Sequence, residues 1–185
     1  VEKVVNLAKQ QNIPIRIGVN AGSLEKDLLD KDIPLHEKMV ESAMKHIKIL
    51  EDLDFDKIKV SLKSSDVLTT IDAYRLMAQR VDYPLHLGVT EAGTLKGGLI
   101  KSSVGLGTLL AEGIGDTIRV SLTENPIEEV FAGYEILKSL KLRERGVNFV
   151  SCPTCGRTQI DLIGLSKKVE NRFRNLDKKD RKSVV

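Results

Sequence analysis

Four short segments repeat one pattern, and it constrains the fold more than any other feature of the chain. Pro14 to Asn20 (PIRIGVN), Lys57 to Lys63 (KIKVSLK), Pro84 to Thr90 (PLHLGVT) and Asp116 to Leu122 (DTIRVSL) each place an apolar residue at every second position. That is the period of a β-strand. Ile15, Ile17 and Val19 face one way, and Arg16, Gly18 and Asn20 the other. The split recurs as Ile58, Val60 and Leu62 against Lys59, Ser61 and Lys63, and as Leu85, Leu87 and Val89 against His86, Gly88 and Thr90. Ile118, Val120 and Leu122 likewise oppose Arg119 and Ser121. Between the segments the period changes to that of a helix over Leu35 to Leu53, Asp66 to Val81, Ser103 to Glu112 and Pro126 to Leu140. Asp66 and Asn125 are predicted N-caps, and Pro126 suits a first helical position. Alternating strands and helices of this length mean parallel βα units.

The polar face selects among parallel folds. A doubly wound sheet is covered by helices on both faces and is apolar on both. Here one face is apolar and the other small, polar or cationic. That fits a TIM-type barrel, with aliphatic residues under the helices and polar groups lining a ligand well. Such a barrel has eight strands and about 250 residues, so these units are expected to form its second half. Val1 to Gln11 reads as the end of an earlier helix, Val147 to Ser151 as a fifth short strand and Ile163 to Asn175 as one more helix. A further strand is expected to begin within Lys178 to Val185 (KKDRKSVV). The chain is therefore expected to be a segment of a larger protein, with a half-barrel over 1–146 and a linker leading into a second domain over 147–185.

Composition narrows the function. The 185 residues carry 29 Lys+Arg against 26 Asp+Glu, a net charge of +3, which gives no reason to expect bulk nucleic-acid binding. Aromatic residues make up 4% with no Trp, so base-stacking platforms are not expected. No apolar run approaches the roughly 20 residues that cross a bilayer, and Val1-Glu2-Lys3 does not open a signal peptide. Two cysteines spaced Cys-x-x-Cys suit a reducing, cytoplasmic setting and a metal or redox task.

In a βα barrel the active site gathers at the C-terminal ends of the strands. Those ends are Asn20, Lys63, Thr90-Glu91 and Ser121, with Arg16 and Arg119 a step deeper. Cations amid hydroxyl and amide groups on one concave surface suit a small, highly anionic ligand such as a diphosphate. Lys63 also admits a Schiff-base reading of the aldolase type, because a buried lysine loses its proton readily. Glu91 could protonate a leaving oxygen, or be an ordinary loop glutamate. His36 and His46 are expected at the surface, His86 in a structural hydrogen bond, and the three have no zinc spacing. Gly97-Gly98 and Gly105-x-Gly107 match no nucleotide-binding pattern, and close packing suffices to explain them. Cys152-Pro153-Thr154-Cys155-Gly156-Arg157 can bind one metal or neighbouring irons of a cluster, with structural zinc the plainer alternative.

Taken together, IRIGVNAGSL, KVSLKSSDV, HLGVTEAGT, KSSVGLG, EGIGDTIRVSLTENP and NFVSCPTCGR resemble, in order, the bacterial 4-hydroxy-3-methylbut-2-enyl diphosphate synthase family. The resemblance implies an N-terminal βα barrel and a small C-terminal iron–sulfur domain whose start is the 147–185 segment. It implies reductive opening of 2-C-methyl-D-erythritol 2,4-cyclodiphosphate with loss of water, in isoprenoid biosynthesis. Electrons would come from flavodoxin or ferredoxin. Arg16, Asn20, Lys63, Thr90, Arg119 and Ser121 then correspond to substrate ligands and Glu91 to the catalytic acid. Cys152 and Cys155 correspond to the first two ligands of a 4Fe–4S cluster, completed in the family by a third cysteine and a glutamate further on. The strand at Ser183-Val184-Val185 resembles the one just ahead of that cysteine. A cytoplasmic homodimer is implied for the intact enzyme, with no nucleic-acid or membrane partner. This piece alone is expected to be inactive.

Overall fold

The computed structural model describes residues 1–173 and 183–184. Within it the chain forms two compact units, Val1–Ile136 and Leu137–Val185. In the first, α1 (Glu2–Gln11) leads to β1 (Ile15–Asn20), then to a single 3-10 turn (Ala21–Ser23), α2 (Lys26–Leu29) and α3 (Leu35–Glu51). After these come β2 (Ile58–Lys63), α4 (Val67–Ala78), β3 (His86–Leu87), α5 (Leu95–Ala111), β4 (Thr117–Ile118) and α6 (Pro126–Ser139). The N-caps are where the sequence places them: the Asp66 carboxylate accepts from Thr69 N–H at 2.7 Å, and Asn125 Oδ1 accepts from Ile127 N–H at 3.0 Å.

All strand pairings in this unit are parallel. β1 pairs with β2 from Ile15↔Ile58 to Asn20↔Lys63, and β3 pairs with β4 at His86↔Thr117 and Leu87↔Ile118. An isolated bridge, Val60↔Leu85, joins β2 to β3. The apolar strand residues Ile17, Val19, Ile58, Val60, Leu62, Leu85 and Leu87 form one core with Met39, Val40, Ala43 and Ile47 of α3. Ile71, Tyr74 and Met77 of α4 and Leu106 and Leu109 of α5 complete it, so the expected helix-facing side of the sheet is the buried one.

β3 and β4 are shorter than the alternation suggests, and side chains are the reason. The Tyr74 hydroxyl stands between β2 and β3, accepting from Leu62 N–H at 2.9 Å and donating to the His86 carbonyl at 2.5 Å. In an unbroken parallel ladder those two backbone groups would bond each other. Asp116 Oδ2 takes Leu85 N–H and Glu129 Oε1 takes Leu122 N–H, each at 2.8 Å. Three strand amides thus find side-chain acceptors, and the regular ladder stops beside them.

α5 begins at Leu95 rather than Ser103. Gly97 and Gly98 suggest a loop, but Gly98 lies where helix and sheet nearly touch. A Cβ there would fall 2.6 Å from Leu122 Cδ2 and 2.9 Å from the Gly93 carbonyl. On Gly105 it would lie 3.0 Å from Val89 Cγ2. Close packing is what Gly98 and Gly105 serve, whereas a Cβ on Gly97 or Gly107 would meet nothing within 4 Å.

The second unit contains β5 (Phe149–Val150), α7 (Leu162–Phe173) and β6 (Ser183–Val184), with β5 and β6 paired in parallel. β6 falls at the start of the strand expected near the end of the chain. The expected helix end at Asn175 lies outside the described residues. Among the described residues, no helix is long and apolar enough to cross a membrane.

Candidate functional site

Register converts the shared parity of the strands into layers on the polar face. Arg16 stands beside Lys59, Gly18 beside Ser61 and Asn20 beside Lys63. The Val60↔Leu85 bridge sets Ser61 next to His86 and Lys63 next to Gly88, and the β3–β4 register continues these rows to Thr117 and Arg119. The upper row is therefore Asn20, Lys63, Gly88 and Arg119, at the C-terminal ends of the strands.

Gly88 gives this row its shape. A Cβ on it would lie 3.2 Å from Lys63 Cε, 3.5 Å from Lys63 Nζ and 3.1 Å from the Arg119 carbonyl. Only a residue without a side chain lets the Lys63 stem lie across β3 toward β4. Burial, then the charges of Arg119 and Arg16, pull the Lys63 ammonium down to about 8. Lys63 is half-buried, while Arg16 and Arg119 are exposed. Among the described residues no carboxylate is among the groups acting on Lys63, so these cations repel one another, and a polyanion on the same face relieves that repulsion.

The remaining predicted ligands surround this row. Asn20 Oδ1 accepts from Gly22 N–H at 3.1 Å, which folds the turn after β1 and holds the carboxamide at the strand end. Thr90 is half-buried, and its N–H donates to the Ser64 carbonyl at 3.1 Å, tying the ends of β2 and β3 together. Glu91 follows, exposed, with φ 51°, in the left-handed region that costs a non-glycine residue about 1–2 kcal/mol. Such strain collects at functional sites. Ser121 is half-buried just beyond β4.

Three residues beyond the predicted set matter here. Gly88 and Ser61 were visible as small residues on the polar face, but nothing in the sequence marked either. Tyr74 lies on a helix and gave no signal at all. His86 makes the structural hydrogen bond expected of it, Nδ1 to Thr117 Oγ1 at 2.8 Å. His46 bonds Glu25 Oε1 at 3.1 Å in the contact between α2 and α3, apart from the strand ends.

In the second unit Cys152 and Cys155 are exposed free thiols. Cys155 N–H donates to Thr158 Oγ1 at 3.1 Å, and Thr158 N–H donates to the Cys155 carbonyl at 3.0 Å. The Arg157 backbone N–H, followed by the Thr158 hydroxyl, pulls the Cys155 thiol below its ordinary value. Donors aimed at a sulfur favour the thiolate that a metal needs. The pair fits part of a thiolate-bound centre: among the described residues, no group of three or more His, Cys, Asp or Glu converges on it or elsewhere.

Comparison with known proteins agrees with this architecture. Residues 1–134 match the GcpE TIM-barrel domain. A 4-hydroxy-3-methylbut-2-en-1-yl diphosphate synthase (flavodoxin) of Geobacter sulfurreducens is 63% identical over 178 residues, covering 96% of this chain and 50% of that protein. Proteins of the same description from Clostridium perfringens and Fusobacterium nucleatum are 58% and 59% identical over all of this chain, which covers 53% and 52% of them. The chain spans about half the length of the curated relatives it matches. A parallel βα unit with a cationic inner face, matched along most of its length by one barrel domain, leaves a single assignment: the chain belongs to the GcpE TIM-barrel family.

Proposed function

We propose that the chain is the substrate-binding half-barrel, and the beginning of the cluster domain, of a 4-hydroxy-3-methylbut-2-en-1-yl diphosphate synthase. The reaction opens the ring of 2-C-methyl-D-erythritol 2,4-cyclodiphosphate and expels one oxygen as water, consuming two electrons and two protons. The observation that carries this reading is the row Lys63–Gly88–Arg119 with Arg16 beneath it, a face on which no carboxylate among the described residues acts on Lys63.

Arg16, Lys63 and Arg119 hold the diphosphate, the guanidiniums through paired N–H donors and Lys63 as a point charge. Asn20, Thr90 and Ser121 supply neutral hydrogen bonds at the rim. Glu91, on the strained turn after β3, delivers a proton to the departing oxygen. Residues 147–185 begin the iron–sulfur domain, where Cys152 and Cys155 would hold two irons of a 4Fe–4S cluster. That cluster, when bound, supplies electrons one at a time. The donor is flavodoxin, as the names of the relatives have it, in a cytoplasmic homodimer.

A lysine lowered to about 8 would also suit Schiff-base chemistry. Relatives named as the synthase disfavour that reading. The test is anaerobic turnover of the cyclodiphosphate by the full-length protein with a chemical reductant. Product formation that is lost in Cys152→Ser supports the proposal. Borohydride trapping of a carbonyl compound on Lys63, with no reductive turnover, would replace it with the aldolase.

A further inference from the structure

One layer of the polar face has no part in the assignments above: Gly18, Ser61, His86 and Thr117. Two of its polar atoms, Ser61 Oγ and His86 Nε2, are buried without a well-formed hydrogen bond, Ser61 having the Tyr74 hydroxyl as a neighbour. Ser61 is only 1% exposed. The Val60↔Leu85 bridge makes the two residues cross-strand neighbours on one face. A buried polar atom without a partner costs about 1–3 kcal/mol, so a folded chain rarely keeps two side by side unless something else completes them.

The surroundings define what that is. Arg16 from β1, Lys59 and Lys63 from β2 and Arg119 just after β4 all act on the imidazole, and among the described residues no carboxylate is among the groups that do. A cation is therefore repelled from this layer and an anion attracted. Among the described residues, a Cβ built on Gly18 meets nothing within 4 Å.

We propose that Ser61 and His86 form the floor of the anion basin, donating from Oγ and Nε2 to phosphate oxygens below the reach of Lys63 and Arg119. The inference rests on the diphosphate reading above and extends it one layer toward the N-terminal ends of the strands. On this proposal the Thr117 hydroxyl, 2.8 Å from Nδ1, is the donor of the hydrogen bond between them, which leaves the proton on Nε2. Burial first, then Lys63, Arg16, Lys59 and Arg119, pull the imidazole down to about 4, so it meets an incoming anion as a neutral donor. It adds a contact without adding a fifth charge to the repulsion. A bound polyanion would reverse the local field and raise the same imidazole toward or above its ordinary value.

Inorganic pyrophosphate is a suitable probe, added to the full-length protein. Nitrogen-15 spectra would follow the His86 ring, assigned by its loss in His86→Gln, while calorimetry reports affinity. The expected result is an Nε2–H tautomer, no titration above pH 5 without pyrophosphate, and an upward shift of at least one pH unit when it is saturating. Ser61→Ala, which removes a single oxygen, should weaken pyrophosphate binding severalfold, and His86→Gln at least tenfold. Pyrophosphate binding with the His86 signals unmoved and Ser61→Ala unaffected would overturn the inference alone, and would mean that the layer holds water. Absence of any pyrophosphate binding by the wild-type protein would overturn the diphosphate reading, and this inference with it.

Discussion

Replacing Tyr74 by Phe isolates the hydroxyl that separates β2 from β3. The side chain is fully buried, and burial pushes its phenol up to about 12, so at neutral pH it is an uncharged donor and acceptor. Phe keeps the ring and removes both bonds, leaving the Leu62 N–H and the His86 carbonyl facing each other across an oxygen-sized gap. An unpaired buried group costs about 1–3 kcal/mol. The carbonyl, with a second lone pair, sits toward the low end of that range, so the sum is about 2–4 kcal/mol. Closing the gap to form a direct ladder bond would recover about 1 kcal/mol, but it would draw β3 toward β2 and carry Gly88 under the Lys63 stem. The expected outcome is a loss of about 2–3 kcal/mol in urea denaturation followed by circular dichroism. Faster hydrogen exchange at the Leu62 amide and weaker pyrophosphate binding should accompany it. A loss below about 0.5 kcal/mol with Leu62 exchange unchanged would refute the role given to the hydroxyl, since the reasoning requires at least one orphaned group.

Other consequences are equally concrete. Gly88→Ala places a Cβ 3.1 Å from the Arg119 carbonyl, which cannot yield as a side-chain tip can, so pyrophosphate affinity measured by calorimetry should drop at least tenfold. Glu91→Gly relieves the left-handed strain and should raise the thermal midpoint while turnover falls, whereas Glu91→Gln keeps the strain and should lower kcat more than it raises KM. Lys63, with its proton affinity lowered from 10.5 to about 8, binds fewer protons when folded than when unfolded between those pH values, so its contribution to stability rises with pH across that window. Lys63→Met should accordingly stabilise the fold below pH 8 yet weaken anion binding, and wild-type pyrophosphate affinity should decline as pH rises through 8.

The sequence displayed the polar face better than it displayed the ladder. Alternation alone set Arg16, Lys63 and Arg119 on one face, because a two-residue period leaves no freedom once the apolar side is buried. It could not show that β3 would be reduced to His86–Leu87, because the cause is a tyrosine on the preceding helix, Tyr74 of α4, reaching between the strands. The start of α5 was hidden for a related reason. Gly97-Gly98 has the local chemistry of a loop, and only the approach of Leu122 and Gly93 makes a helical glycine favourable there. Glu91 was legible as a strand-end carboxylate, but its positive φ was not, since nothing in VTEAG demands it. The unsatisfied atoms of Ser61 and His86 depend on which strands adjoin, and so on the Val60↔Leu85 bridge.

The central claim is that Arg16, Lys63 and Arg119 act together on a diphosphate. Calorimetric binding of 2-C-methyl-D-erythritol 2,4-cyclodiphosphate to the full-length protein, wild type against Arg16→Ala/Arg119→Ala, tests it most directly. Each charge-assisted contact is worth about 1.5–3 kcal/mol, and about 1.4 kcal/mol is tenfold in affinity, so the double variant should bind at least a hundredfold more weakly. Affinity within threefold of wild type, in a variant that remains folded, would contradict the account.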